Sequence, residues 1–90
     1  MIIEKFIELS EKIVGICRNE GMDDGINTLV YNTIDVYMTH THNGAVTYSI
    51  NGDKKIDIDL NSEEYTIPFG ITEADLLETY NKIVPIVSVL

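Results

Sequence analysis

Two Asn-Gly pairs, Asn43-Gly44 and Asn51-Gly52, constrain this chain more than any other feature. Both residue types accept the positive φ angles of tight hairpin turns, and apolar residues alternate with polar ones on either side. The stretch from Asp35 to Leu60, DVYMTHTHNGAVTYSINGDKKIDIDL, therefore predicts three antiparallel strands joined by two hairpins.

Loop length decides which side chains share a face. A two-residue Asn-Gly loop would pair His42 with Ala45 and Thr39 with Tyr48. That register separates Val46, Tyr48 and Ile50 from Val36 and Met38. A three-residue loop ending in a left-handed glycine (His42-Asn43-Gly44, then Ile50-Asn51-Gly52) sets Met38 across from Tyr48, Val36 from Ile50 and Val46 from Ile56. One face then gathers Ile34, Val36, Met38, His40, Val46, Tyr48, Ile50, Ile56, Ile58 and Leu60. The other carries Asp35, Tyr37, Thr39, Thr41, Thr47, Ser49, Lys55, Asp57 and Asp59. A fully buried apolar side chain contributes about 1.5–3 kcal/mol, so the register that buries Val46, Tyr48 and Ile50 together is expected, with G1-bulge hairpins.

The flanks read as helices. Ile2, Ile3, Phe6, Ile7, Leu9, Ile13, Ile16 and Cys17 recur at helical period, and Gly21 is placed to end the helix. Gly15 inside it is expected to mark close packing on the sheet. The run from Thr28 to Thr41 has strand composition with a bend near Asn32-Thr33. After the polar turn Asn61-Ser62-Glu63-Glu64, Tyr65, Ile67 and Phe69 alternate as a fourth strand that Pro68 confines to an edge. Thr72-Glu73-Ala74-Asp75 is a capping box opening a second helix. Leu76, Leu77, Tyr80, Ile83 and Val84 form its inward stripe, and Pro85 should stop it near Val84. The apolar tail Ile86 to Leu90 must be covered, by docking under the helices, by adding to a sheet edge, or by meeting another copy. The expectation is one α+β domain over residues 1–90. It is a two-layer sandwich in which two helices cover one face of a four-stranded antiparallel meander (α-β-β-β-β-α) and leave the other face open.

The net charge of −9, from fifteen acids against six bases, disfavours direct binding to nucleic acid or to anionic membranes. The same field would attract a basic protein and raise its association rate. A single cysteine allows no internal disulfide, no apolar run approaches the ~20 residues of a membrane span, and Glu4 and Glu8 interrupt the start. A soluble cytoplasmic protein, in a bacterial cell or phage-infected host, is the expectation.

No motif names a reaction. His40 and His42 form His-x-His on one strand, a spacing used by zinc sites, but no further ligand is evident. They read foremost as a partly buried and a turn histidine. Cys17 falls among the apolar set of its helix, which gives no reason for an activated thiol. No glycine-rich phosphate loop is present. No enzyme activity and no cofactor are expected. The charge distribution says more. Between Lys55 and Lys82 lie seven acids and no Lys or Arg. Asp35 joins Asp57 and Asp59 on the open face, with Tyr37 among them and Glu63 and Glu64 nearby. Such a surface serves solubility, or it serves as a contact for a basic groove in which carboxylates stand in for phosphates and tyrosines anchor.

The order helix, antiparallel strands, helix resembles the double-stranded-RNA-binding domain in topology. That family reads RNA with a basic helix start, whereas the second helix here begins Thr72-Glu73-Ala74-Asp75, and the charge contradicts RNA binding. In small size and strong acidity the chain resembles phage and mobile-element inhibitors, including anti-CRISPR proteins and other nucleic-acid mimics, and equally immunity proteins that neutralise basic toxins. The open face and the acidic charge lead to the expectation of a non-enzymatic module that binds a basic, nucleic-acid-handling protein through Asp35, Tyr37, Asp57, Asp59, Glu63 and Glu64. The rivals are a homodimeric structural or adaptor protein, joined through Ile86–Leu90 or an edge strand, and a metal-dependent enzyme using His40 and His42.

Overall fold

The computed structural model describes residues 2–20, 34–35, 43–50, 54–62 and 64–88. The described elements are helix α1 (Ile2–Glu20), strands β1 (Ile34–Asp35), β2 (Ala45–Ile50), β3 (Lys54–Asp59) and β4 (Glu64–Thr66), and helix α2 (Glu73–Ser88). The class is α+β: two helices and an antiparallel sheet whose body is the β2–β3 hairpin. No described helix is long and apolar enough to cross a membrane.

Across β2 and β3, Val46 faces Ile58, Tyr48 faces Ile56 and Ile50 faces Lys54. Three residues, 51–53, thus separate the last paired positions. The expected pairing of Val46 with Ile56 is displaced by two residues. On the other side of β2, Ile34 of β1 lies opposite Tyr48, where Met38 was expected, a displacement of four. Both displacements are even, so the face assignment survives although the partners change. Burial can choose between faces, but it cannot distinguish registers that differ by two residues, because these bury the same side chains. Gly44 adopts φ +93°, the left-handed conformation expected of it. The Gly44 carbonyl accepts the Leu60 amide at 2.8 Å, and the Asn43 carbonyl accepts the Asn61 side-chain amide.

The fourth strand is shorter than its alternation suggests. β4 pairs with β3 (Asp57 with Thr66, Ile58 with Tyr65, Asp59 with Glu64) and ends before Pro68, which has no N–H to extend a ladder. Phe69, expected in that strand, is instead 100% exposed. It occupies a turn in which the Ile71 amide donates to the Pro68 carbonyl at 3.4 Å and Gly70 has φ +89°. A positive φ at the third residue is the requirement of a type II turn.

Both helices pack on the Tyr48 face. Ile3, Phe6, Leu9, Ile13, Val14 and Cys17 of α1 join Leu76, Ile83 and Val87 of α2 and Val46, Tyr48, Ile50, Ile56 and Ile58 of the sheet in one buried cluster. Phe6 sits at its centre, edge-on to Tyr48 at 5.1 Å and to Tyr80 at 5.6 Å between ring centroids. Ser10 is buried too. Its hydroxyl donates to the Phe6 carbonyl at 2.8 Å, which leaves its oxygen to accept from the Tyr48 hydroxyl at 2.7 Å. Burial pushes the Tyr48 phenol far above its ordinary pKa, opposed by the Ser10 hydroxyl and reinforced by Tyr80.

The capping box forms as the sequence implies. The Asp75 amide donates to Thr72 Oγ1 at 3.2 Å and the Thr72 amide to Asp75 Oδ2 at 3.0 Å. α2 does not stop near Val84 but runs through Pro85 to Ser88. Proline costs about 3 kcal/mol inside a helix. Continuing the helix buries Val87 and half-buries Ile86, which offsets much of that loss. Ser88 Oγ donates to the Val84 carbonyl in the last turn at 2.7 Å. The inward stripe is Leu76, Thr79, Ile83 and Val87, with Tyr80 and Val84 at its margin. Leu77 lies off it, 45% exposed. A Cβ at Gly15 would meet nothing within 4 Å, so that glycine does not mark close packing.

Candidate interaction surface

Alternation along β2 and β3 sends Val46, Tyr48, Ile50, Ile56 and Ile58 into the core and turns Ala45, Thr47, Ser49, Lys55, Asp57 and Asp59 to the face away from both helices. Pairing aligns Asp35, Thr47, Asp57 and Thr66 in one cross-strand row, and Ala45, Asp59 and Glu64 in the next. Of the six proposed contact residues, Asp57 and Asp59 lie on β3 on the face away from the two described helices, and Asp35 and Glu64 hold the register positions beside Thr47 and Asp59. Tyr37 and Glu63 lie outside the described residues, as do His40, His42 and the expected bend near Asn32-Thr33.

Asp57 and Asp59, two residues apart on β3, bring two carboxylates to one face of the sheet. Partial compensation comes from local donors. Thr47 Oγ1 donates to Asp57 Oδ1 at 2.8 Å and the Asn61 amide to Asp59 Oδ1 at 3.0 Å. Each bond engages one oxygen of the carboxylate. Asp57 is exposed, and Thr47 and Asp59 are half-buried. Ser49, expected on the open face, is only 6% exposed, so the face is open around Asp57 and closed toward the Ile50 end of β2.

The acidic run from Asp57 to Glu78 does not stay together in space. Asp75 is used in the α2 cap, and Glu78 pairs with Lys82 one turn along the exposed side of α2 at 3.3 Å. Both belong to the helix layer, as does Glu73. The sheet-face cluster is thus set by strand parity, which the sequence shows, and by register, which it does not. Among the described residues no group of three or more His, Cys, Asp or Glu side chains could hold a metal ion. Cys17 is fully buried in the α1 core.

Comparison with protein-family models, with curated proteins and with solved structures returns no match to this chain.

Proposed function

We propose that the chain is a non-enzymatic binding module that engages a basic protein through the face of its sheet away from the two described helices. The observation that carries this reading is the acidic pair of rows, Asp35–Thr47–Asp57 and Asp59–Glu64, on a face where neither described helix packs. Carboxylates held at strand spacing by Thr47 and Asn61 match a groove built for phosphates, and a net charge of −9 steers a cationic partner to them. The reading takes the full sheet as a four-stranded meander within one two-layer domain, with the short β1 and β4 ladders as its edges and Tyr37, Glu63 and Glu64 completing the contact. A nucleic-acid-handling protein, as the target of an inhibitor of phage or mobile-element type, fits this chemistry, and a basic toxin neutralised by an immunity protein is the same chemistry with a different partner. Reversing Asp57 and Asp59 to Lys tests it. Binding should then be lost at low salt, and unchanged binding would remove this face from consideration.

A further inference from the structure

Asparagine loses ammonia most readily where glycine follows, because a residue without a side chain lets its own amide nitrogen reach the preceding side chain. Asn43-Gly44 is such a pair, and it lies at the end of the β2–β3 ladder. Ala45 and Asp59 are the last paired positions of the two strands. One step further the Leu60 amide donates to the Gly44 carbonyl at 2.8 Å, and one step beyond that the Asn61 side-chain amide donates to the Asn43 carbonyl. Asn43 is exposed to water, whereas Gly44 is buried.

The Asn43 carbonyl and the Gly44 nitrogen belong to one planar peptide unit, so a bond that holds the first also holds the second. The next unit is held through the Gly44 carbonyl. Asn61 also closes over the pair: a Cβ on Gly44 would come within 2.9 Å of its side-chain nitrogen and 3.2 Å of its side-chain oxygen. The Asn61 backbone amide is itself fixed by Asp59 Oδ1 at 3.0 Å. Ring closure between the Gly44 nitrogen and Asn43 Cγ needs the shared peptide unit rotated about the Asn43 Cα–C bond. That rotation carries the carbonyl away from the Asn61 amide.

We propose that Asn43 is a site of spontaneous conversion to aspartate and isoaspartate, and that the Asn61 side chain is the latch that sets its rate. The Gly44 nitrogen forms a bond to Asn43 Cγ, and the side-chain amide leaves as ammonia with the proton that the nitrogen gives up. Water then opens the cyclic imide. Opening at one carbonyl gives aspartate, and opening at the other gives isoaspartate, whose backbone is longer by a methylene. Either product adds a negative charge at the corner of the sheet that holds Asp59. Isoaspartate also displaces the carbonyl that Asn61 held, so the latch does not close again.

Peptide mapping by mass spectrometry after incubation of the full chain at neutral pH, folded and in urea, tests the inference. In the folded wild-type chain Asn43 should convert more slowly than in urea. Asn61→Ala should speed conversion at Asn43 in the folded chain about two- to tenfold, the factor that one neutral hydrogen bond is worth, and should change nothing in urea. Asn61 is exposed and its backbone bond to Asp59 survives the change, so the variant should melt at the wild-type temperature. Asn51-Gly52 in the same chain has the same intrinsic chemistry and is the control, with a rate that Asn61→Ala should leave unaltered. Equal rates at Asn43 in the folded wild-type and Asn61→Ala chains, a folded wild-type rate that matches the rate in urea, or an equal gain at Asn43 and Asn51, overturns the inference.

Discussion

The hydroxyl oxygens of Ser10 on α1 and Tyr48 on β2 lie 2.7 Å apart in the interior, and both residues are fully buried. This bond links helix and sheet within the buried cluster. Ser10→Ala leaves the Tyr48 hydroxyl without its acceptor and should cost about 1–3 kcal/mol of stability. Tyr48→Phe should cost less, because Ser10 still donates to the Phe6 carbonyl. The double variant should be less destabilised than the sum of the two, by about 0.5–3 kcal/mol of coupling. Urea unfolding of the four chains measures it, and strict additivity would contradict the pairing.

Tyr48 also sets a limit at alkaline pH. Its folded pKa is raised above the unfolded value of about 10, so the neutral phenol is the form the fold favours. This contribution is fully present below pH ~10 and is lost as pH rises beyond it, by up to about 1.4 kcal/mol per pH unit for one group. Melting temperatures of the wild-type chain should therefore fall more steeply above pH ~10 than those of Tyr48→Phe. Parallel curves would show that the phenol ionises without unfolding.

Two glycines should respond in opposite directions to alanine. Gly15 is inside α1 with open space around the added methyl, so Gly15→Ala should stabilise by about 0.5–1 kcal/mol. Gly44 has φ +93°, and a Cβ there would come within 2.9 Å of the Asn61 amide that bonds the Asn43 carbonyl. Gly44→Ala should destabilise by about 1–3 kcal/mol. Thermal melts of the two variants decide both signs.

The sequence carried parity better than partners. Alternation placed Val46, Tyr48, Ile50, Ile56 and Ile58 on one face and Thr47, Asp57 and Asp59 on the other, because that division follows from period two alone. It could not place Ile34 opposite Tyr48, since shifts of two or four residues leave the division unchanged. Polar members of the helical stripes were hidden by residue type and not by spacing. Ser10 falls in the series Ile3, Phe6, Ser10, Ile13, Cys17, and Thr79 in Leu76, Thr79, Ile83, Val87, so the period itself marks them as buried. Leu77 misled for the converse reason, being apolar and one position off the stripe. Phe69 was legible only through Pro68 and Gly70, the two residues that turn a continuing strand into a type II corner. Among the acidic residues, strand parity placed Asp57 and Asp59 on the face away from the described helices. The capping box already set Asp75, and with it Glu78, on the second helix.

The central claim is that the carboxylates on the sheet face away from the described helices recruit a cationic protein. Affinity capture with the full chain and with an Asp57→Lys/Asp59→Lys variant of matching circular dichroism, each at low and high ionic strength, tests it most directly. The account predicts that a basic protein is retained by the wild-type chain at low salt, released at high salt and not retained by the variant. Equal retention by both chains, indifferent to salt, would contradict it.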